Sequence, residues 1–376
     1  MKEKVEIEKL IEAKIKDLNL IYNKISLLAK NRLQFFAINK HEINNEIEFS
    51  NSIIYFYYKE KERLLSEINT LCWVVGRKKN ECTFNGVEVQ GLELLKDISE
   101  GLYIKTSGGL GDCLLLTPAL RSIKTYFPEI KVVLHCSQKA HFEVLKGNPF
   151  IDHFADESFY NINTDKFYEI NVYNILPSII YPKKVSKIIC NLLDTPELED
   201  KLEIYLSEKE IHFGNEFKSK YAPYICINPS SKCSKNQEWP EVNWVELIKK
   251  GKTDGYNFVQ LGLMEETYIK GCIDLRGQLT LRESLSILNS ADGYIGVDSF
   301  WAHAASALNV PAIVLFGDTN PEIWGHKNNH NIYKKTDCSP CFDLLYGQSC
   351  SYNKKCMNSI KLKKFLIVLI FSDHKT

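Results

Sequence analysis

The sequence predicts an α/β protein in which two parallel-sheet domains face a cleft, with a helical N-terminal extension before them. From about residue 102, short apolar strands alternate with helical stretches, in one series that starts at LYIKTS (102–107) and a second that starts at PYICIN (223–228). This alternation is typical of parallel sheets that carry helices on both faces. Residues 1 to about 75 contain no glycine or proline and place apolar residues at helical spacing, which predicts two or three amphipathic helices.

The length of the chain supports this division. Its 376 residues exceed one ordinary domain and fit two domains with an appendage. We assign residues 1–80 to the helical extension, 81–215 to a first Rossmann-like domain, and 216–376 to a second one that includes a cysteine-rich finger at 336–358. The charged segment 206–220 is the predicted hinge, because few apolar positions there would join the two cores.

The charge balance excludes partners that are attracted by an overall electric field. The 47 basic residues equal the 47 acidic residues, so the net charge attracts neither nucleic acid nor an anionic membrane. The N-terminal segment lacks the apolar centre and the small-residue cleavage site of a signal peptide. The apolar run 365–371 is far shorter than the roughly 20 residues that span a bilayer. A cytoplasmic protein with reduced thiols is therefore expected.

The first strand of the first domain runs into a glycine-rich turn, SGGLGD. Gly109 and Gly111 let backbone N–H groups approach a ligand closely, which suits an anion or a sugar. A dinucleotide fingerprint is discounted, because Leu114 takes the third glycine position and the next strand ends without a carboxylate. Asp112 then faces the edge where parallel strands end. A helix-capping aspartate explains the same position from spacing alone.

Two loops of the second domain carry polar side chains at strand ends. INPSSKCSKNQEWP places the hydroxyls of Ser230 and Ser231 after a strand and Lys235 a few residues later. Hydroxyls, backbone amides and an ammonium group at a strand end suit a diphosphate, and a plain polar turn explains them about equally well. Glu265 follows the next strand, where it can accept hydrogen bonds from ribose hydroxyls or simply begin a solvated helix.

The most specific stretch of the sequence is 279–325. A helix that ends in Ala-Asp leads to a strand, Asp298, Ser299 and His303 surround the start of the next helix, and the strand AIVLFG follows. Together with SGGLGDCLLLTPAL, this stretch resembles the ADP-heptose:lipopolysaccharide heptosyltransferases of glycosyltransferase family 9, which have the GT-B fold. The resemblance extends over roughly residues 102–360. It implies two Rossmann-like domains, the first on the acceptor side and the second binding the nucleotide sugar.

The resemblance implies a role for each matching position. Asp112 matches the catalytic base in the family's first-loop GD motif, Asp298 its sugar-contacting aspartate, and Glu265 its ribose-binding glutamate. The residues implied to contact phosphate, ribose or sugar are Gly109, Gly111, Ser230, Ser231, Lys235, Glu265, Asp298, Ser299 and His303.

Two departures from the family pattern concern the donor pocket. Phe300 stands where the D-[ST]-G-x-x-H motif has glycine, and Trp301 follows it, so the pocket is expected to be reshaped and the sugar need not be heptose. The family's lysine before Trp-Pro is displaced, and Lys235 is assigned the charge that faces the phosphate.

The implied reaction is an inverting transfer by single displacement, in which Asp112 takes the proton of an acceptor hydroxyl. The sequence has no D-x-D carboxylate pair, so no catalytic metal is expected. ADP-heptose is the implied donor, and a hydroxyl of lipopolysaccharide, another glycan or protein is the acceptor. Two alternatives stay open, since fold does not fix function. The first is a nucleotide-sugar epimerase or phosphorylase, and the second is a non-catalytic subunit that binds a sugar nucleotide.

Four cysteines near the C-terminus predict a metal site. They are Cys338, Cys341, Cys350 and Cys356, a C-x2-C pair followed by two more widely spaced thiols, and such sets can surround one ion. The chain is also similar to the autotransporter heptosyltransferases, which glycosylate protein serines and carry a four-cysteine finger associated with iron. The sequence leaves four states of these cysteines open: structural iron, structural zinc, four reduced thiols, or disulfides formed after purification. The helical periodicity of residues 1 to about 75, with no catalytic motif there, predicts a bundle for homo-oligomer assembly or acceptor docking. The protein is expected in the cytoplasm or at the inner membrane surface.

Overall fold

The computed structural model describes most of the chain after residue 101. The described residues are 102–155, 167–171, 184–193, 195, 198–342 and 349–361, with strands 83–84 and 87–88 and scattered residues between 5 and 20. These scattered residues are helical, and the rest of the predicted helical extension lies outside the described residues. The strands β1 (Thr83–Phe84) and β2 (Val87–Glu88) form a short antiparallel pair.

The first domain is built on four parallel strands in the order β5-β4-β3-β6. The strands are β3 (Leu102–Ser107), β4 (Val132–Cys136), β5 (His153–Ala155) and β6 (Phe167–Asn171). The helices are α1 (Leu110–Leu115), α2 (Thr117–Tyr126), α3 (Lys139–Leu145) and α4 (Val185–Leu192). Pro118 lies in the first turn of α2, where its missing N–H costs no helical hydrogen bond.

The second domain is built on six parallel strands in the order β12-β11-β10-β7-β8-β9. The strands are β7 (Tyr224–Asn228), β8 (Asn257–Gln260), β9 (Ile273–Asp274), β10 (Gly293–Val297), β11 (Ala312–Phe316) and β12 (Asn329–Tyr333). The helices are α5 (Glu208–Tyr221), α6 (Glu241–Thr253), α7 (Leu281–Ser290), α8 (Phe300–Ala307), α9 (Pro321–Trp324) and α10 (Lys355–Asn358). The predicted α/β fold with two parallel sheets is confirmed.

The central strands of the second sheet are buried along their whole length. Every residue of β7, β10 and β11 is buried, as expected for a parallel sheet covered on both faces. One face carries a cluster around Trp239 and Trp244, whose rings meet edge to face with centroids 5.3 Å apart. The other face joins an apolar cluster that continues into the first domain. One apolar cluster therefore joins the two domains.

Helix α5 occupies the segment predicted as the hinge. Phe213 and Phe217 on this helix pack against the apolar cluster, so the segment is an ordered connector in this structure. Arg282 of α7 donates to both oxygens of Glu210 at 2.7 Å and to the carbonyl oxygens of Glu143 and Tyr205 at 3.1 and 2.6 Å. One guanidinium thus ties the second domain to the connector and to the first domain. The domain boundaries and the hinge stay predictions.

Candidate active site

The turn between β3 and α1 places one carboxylate at the carboxyl edge of the first sheet. Asp112, in the first turn of α1, accepts a hydrogen bond of 2.6 Å from the backbone N–H of Gly109. A Cβ on Gly108, whose φ is +105°, would lie 2.3 Å from Asp112 Oδ2, so only glycine fits beside this carboxylate. Burial raises the pKa of Asp112 to about 6, against the opposing effect of the Gly109 N–H. This contact suits a helix cap as well as a base, and the raised pKa suits proton transfer.

His141 supports this turn through a side-chain hydrogen bond. Its Nε2 lies 3.1 Å from the carbonyl oxygen of Gly108, and its Nδ1 lies 3.4 Å from Ser137 Oγ. Since a carbonyl oxygen can only accept, His141 Nε2 carries the proton. Burial lowers the pKa of His141, which favours the neutral ring. Nothing in the sequence marked this histidine, because the contact joins residues far apart in the chain.

The predicted phosphate loop follows β7. Ser230 and Ser231 are buried, and the hydroxyl of Ser231 donates to Gln237 Oε1. Lys235 is 77% exposed and forms an ion pair of 2.7 Å with Glu238. The two hydroxyls thus lie at the strand end, whereas the ammonium group points to a neighbouring carboxylate on the surface. The phosphate role of all three residues stays a prediction.

The loop after β8 contains two adjacent glutamates with different surroundings. Glu265 is exposed. Glu266 is half-buried and accepts a hydrogen bond of 2.9 Å from Asn228 Nδ2, at the end of β7. Burial raises the pKa of Glu266. Of the two side chains, Glu266 lies on the side of the phosphate loop, and sequence alone could not choose between adjacent glutamates because the loop geometry decides which one turns inward.

Two carboxylates lie within charge range of each other after β10 and β11. Burial raises the pKa of Asp298 to about 7, Thr319 opposes this shift, and the charge of Asp318 adds to it. Burial likewise raises the pKa of Asp318 to about 6, and Ser234 Oγ, which donates to Asp318 Oδ2 at 2.8 Å, opposes it. Within the described residues, Asp318 Oδ1 is buried without a hydrogen-bond partner. Asp318 was missed from the sequence, where its only signal is its place at the end of a buried strand.

The start of α8 carries the remaining predicted residues. Ser299 Oγ lies 3.5 Å from Asn228 Oδ1. Trp301 is buried, and Phe300 is partly buried against the apolar cluster, with their ring centroids 5.2 Å apart. The aromatic side chains at and just after the glycine position of this motif therefore pack, fully or in part, inside the protein. His303 is buried one turn further along the helix.

The two domains meet where His303 faces Gly111. A Cβ on Gly111 would lie 2.8 Å from His303 Cδ2 and 3.4 Å from His303 Nε2. The loop that carries Asp112 therefore lies against α8, the helix that begins next to Asp298. This contact joins the glycine turn of the first domain to the helix that carries His303 in the second. Ligands of open α/β sheets bind at these carboxyl edges.

Comparison with known proteins gives the family context of this site. Residues 183–350 match the sequence model of glycosyltransferase family 9 (heptosyltransferase). Lipopolysaccharide heptosyltransferase 2 of Salmonella typhimurium is 23% identical over 39% of this chain and 45% of its own length. Over these residues the chain is similar to glycosyltransferase family 9. The family match begins after the Asp112 loop.

Solved structures extend the likeness to both domains. The ADP-heptose lipopolysaccharide heptosyltransferase II of Escherichia coli has a TM-score of 0.56 at 15% identity, over 74% of this chain and all of that one. TibC, described as an iron-containing dodecameric glycosyltransferase of enterotoxigenic E. coli, has a TM-score of 0.58 at 18% identity, over 73% of this chain and 77% of that one. These similarities confirm the GT-B fold. In sequence, the match covers less than half the length of the curated relatives, 45% of the Salmonella protein and 30% of the autotransporter heptosyltransferase TibC.

The four cysteines of the finger lie within electrostatic range of one another. Burial raises the pKa of Cys341, and the charges of Cys338, Cys350 and Cys356 add to that shift. The backbone N–H of Cys350 donates to Asn236 Oδ1 at 3.0 Å, which ties the finger to the phosphate loop. Across the described residues, no group of three or more His, Cys, Asp or Glu side chains is placed to hold a metal ion. The donor chemistry of four thiols suits iron or zinc, but their present arrangement is not a coordination shell.

No helix in the described part of the chain is both long and apolar enough to cross a membrane.

Proposed function

We propose that this protein is an inverting, metal-independent glycosyltransferase that moves heptose or a related sugar from a nucleotide-diphosphate donor, ADP-heptose, to a hydroxyl group. The observation that carries the proposal is the meeting of the Asp112 loop with α8, the helix that follows Asp298. The loop carries a carboxylate whose pKa is raised to about 6 by burial, and the helix follows a polar cluster suited to a sugar nucleotide.

In the proposed reaction, the acceptor oxygen attacks the anomeric carbon while the bond from that carbon to the diphosphate breaks. Asp112 takes the proton of the acceptor hydroxyl as the new glycosidic bond forms, and the bond electrons leave with the nucleoside diphosphate. Attack from the face opposite the leaving group inverts the anomeric centre. General-base assistance of this kind is typically worth about 10²–10⁴ in rate.

The second domain is proposed to bind the donor. Ser230, Ser231 and nearby backbone N–H groups are assigned to the diphosphate, and Lys235 can reach it by leaving Glu238, because its side chain is mostly exposed. The ribose is assigned to the glutamate pair, with Glu266 favoured over Glu265 because only Glu266 contacts Asn228. Hydrogen-bond donors and a lysine can stabilise the leaving charge without a metal ion.

The sugar is proposed to lie between Asp298 and the Asp112 loop. Asp298, Asp318 and Thr319 together offer buried oxygen atoms, and Asp318 Oδ1 has no partner among the described residues. Buried polar atoms of this kind gain most from a ligand that supplies hydrogen bonds. Sugar hydroxyls meet this requirement, since each one can donate and accept.

The acceptor is proposed to be a hydroxyl of lipopolysaccharide, another glycan or protein. The match to lipopolysaccharide heptosyltransferases supports the glycan acceptor, and the match to the autotransporter heptosyltransferase TibC supports the protein acceptor. The extension at residues 1–80 is proposed to dock the acceptor or to assemble the enzyme, with the dodecameric TibC as a precedent for assembly. Deletion of residues 1–75 should leave donor binding intact and should change particle mass or acceptor use.

The cysteine finger is proposed to hold a structural iron or zinc ion. The iron-containing TibC supports iron, and the thiol donor set suits either metal. Elemental analysis of protein purified without chelator, together with thiol titration, tests the proposal. A metal content below about 0.2 per chain with four reactive thiols would exclude an ion of the affinity expected for thiolate sites.

A product assay tests the proposed reaction directly. The purified full chain is incubated with ADP-heptose, with and without a heptose-deficient lipopolysaccharide or an autotransporter passenger domain. Transfer should require both donor and acceptor, should release ADP, should invert the anomeric configuration and should continue in chelator. Conversion of the donor without acceptor would favour an epimerase, and donor binding without any turnover would favour a non-catalytic subunit.

A further inference from the structure

His303 and His326 form a buried pair behind the Asp112 loop. His303 lies in α8, His326 lies just after α9, and His303 Nδ1 is 2.7 Å from His326 Nε2. The two side chains are 5% and 3% exposed. The imidazole rings meet at a steep angle, with an interplanar angle of 77°. Nothing in the sequence marks His326, which lies outside the motif that contains His303.

Both imidazoles are neutral at physiological pH. Burial lowers the pKa of His326 to about 3, and the charge of Lys184 contributes. Burial also lowers the pKa of His303 well below its ordinary value, with further contributions from His326 and Lys184. Lys184 is held in place by an ion pair of 3.3 Å with Asp200 and by a hydrogen bond to the carbonyl oxygen of Gly325. Each ring therefore carries one proton, and the 2.7 Å contact must join one N–H to one lone pair.

Two proton arrangements satisfy this contact. In the first, His326 Nε2–H donates to His303 Nδ1. In the second, His303 Nδ1–H donates to His326 Nε2, and His326 then carries its proton on Nδ1. In the described part of the chain, His326 Nδ1 is buried and has no hydrogen-bond partner. Each arrangement leaves one ring N–H to be satisfied, on His303 Nε2 in the first and on His326 Nδ1 in the second. Of these two nitrogens, only His326 Nδ1 is among the buried atoms without a partner in the described part of the chain. A buried N–H without an acceptor is costly, which favours the first arrangement.

We infer that His326 fixes His303 as the Nε2–H tautomer and thereby gives the site a permanently oriented hydrogen-bond donor. The edge of the His303 ring that carries Nε2 faces Gly111, because a Cβ on Gly111 would lie 3.4 Å from Nε2 and 2.8 Å from the neighbouring Cδ2. The Nε2–H therefore lies on the side of the ring that faces the loop that carries Asp112. His326 itself is a positioning residue, since it acts through His303.

This tautomer has a chemical consequence that rests on the proposed function. The Nδ1 lone pair of His303 is occupied by His326, and Nε2 carries a proton, so His303 has no lone pair with which to take the proton of an acceptor hydroxyl. His303 can only donate to an oxygen bound beside Gly111, which leaves Asp112 as the base. The opposite tautomer would place a basic lone pair beside Asp112 and would make the two residues competitors.

The tautomer can be measured in the full chain without any substrate. The protein contains nine histidines, and ¹⁵N-histidine labelling with long-range ¹H–¹⁵N correlation distinguishes protonated from unprotonated ring nitrogens. The His303 signals are assigned by their loss in H303Q. We expect a protonated Nε2 and an unprotonated Nδ1. A protonated Nδ1 on His303 in the wild-type protein would overturn the inference, whether or not the protein proves to be a transferase.

Two variants of His326 separate positioning from simple packing. Phenylalanine keeps an aromatic ring but cannot donate, whereas the side-chain amide of glutamine can place an N–H near the position of Nε2. We expect H326F to give a mixture of His303 tautomers and to lower kcat by about 10²-fold, the lower end of the range for losing one oriented donor. H326Q should restore the Nε2–H spectrum and most of kcat, with the donor KM little changed in both. Equal loss of kcat in both variants, with an unaltered His303 spectrum, would contradict the positioning role.

Discussion

The two domains contribute aspartates that are alike in acidity and different in surroundings. Burial is the largest cause of the raised pKa in both, to about 6 for Asp112 and about 7 for Asp298. Asp112 is half-buried beside a glycine turn and accepts a single backbone N–H. Asp298 is 6% exposed, next to Thr319 and within charge range of Asp318.

This difference shows that a raised pKa alone does not identify a base. A base needs a free lone pair that a substrate proton can reach, and Asp112 keeps one oxygen unoccupied by the Gly109 N–H. Asp298 lies among other buried oxygen atoms, where a ligand that donates hydrogen bonds is stabilised. We therefore assign proton transfer to Asp112 and sugar binding to Asp298. The experiments below test that division, from the largest expected effect to the smallest.

Replacement of Asp112 by asparagine should have the largest effect. The change removes proton acceptance and keeps the side-chain size, so kcat should fall by about 10²–10⁴. Donor affinity and the melting temperature should stay close to the wild-type values. Turnover within about threefold of wild type, far below that expected loss, would reassign Asp112 to capping of α1.

Replacement of Asp298 by asparagine should act mainly on donor binding. A hydrogen bond to a charged group is worth about 1.5–3 kcal/mol, which corresponds to roughly a 10- to 100-fold loss of affinity. Calorimetric titration with ADP-heptose gives this number, and titration with ADP is the matched control because ADP lacks the sugar. Equal weakening of ADP and ADP-heptose would show that Asp298 does not contact the sugar.

The pH dependence of kcat should follow the acidity of Asp112. A base must be deprotonated, and burial raises the pKa of Asp112 to about 6, so activity should fall as pH drops below that value. At saturating donor, the fall should be about tenfold per pH unit. If kcat instead begins to fall near pH 7, and this fall disappears in D298N, the base is Asp298.

The contact between the two domains can be tested with neighbouring glycines. Alanine at Gly111 would place its Cβ 2.8 Å from His303 Cδ2, whereas alanine at Gly109 would meet nothing closer than Asp112 Oδ2 at 3.6 Å. Gly109 also has a negative φ of −86° that alanine adopts readily. We expect G111A to lower the free energy of unfolding by about 1–3 kcal/mol through overpacking. Denaturant unfolding measures both variants. If G109A lowers the free energy of unfolding as much as G111A does, α1 and α8 do not pack closely in solution.

Chelation should have the smallest effect on the reaction. Removal of an ion from the finger should loosen residues 336–358 in hydrogen exchange, because metal binding stabilises folding locally. The Asp112 loop should keep its protection, and kcat should not change. Loss of activity in chelator that magnesium restores would contradict the metal-independent mechanism.

The sequence was sufficient for the fold because the fold depends on patterns that local residues carry. Strands such as Ala312–Phe316 are apolar throughout and alternate with helical segments, which is the signature of a parallel sheet. The placement of polar residues at strand ends likewise predicted that the Asp112 loop and the Asp298 segment would meet. The predicted N-terminal helical extension lies mostly outside the described residues, and its structure and role stay predictions.

The choice between neighbouring side chains required the tertiary structure. Spacing pointed to Glu265, but contact with Asn228 is made by Glu266. His141, Asp318 and His326 could not be identified from the sequence, because each acts through a partner distant in the chain, such as Gly108 for His141.

The sequence by itself therefore determined the architecture and the segments that are proposed to form the site. Both follow from periodicity and from the position of loops at the ends of parallel strands. Only the tertiary structure decided which groups are buried, which carboxylates have a raised pKa and which histidines lie within hydrogen-bonding distance of each other. Burial and proton placement depend on atoms brought together by packing, and the sequence pattern does not encode those distances directly.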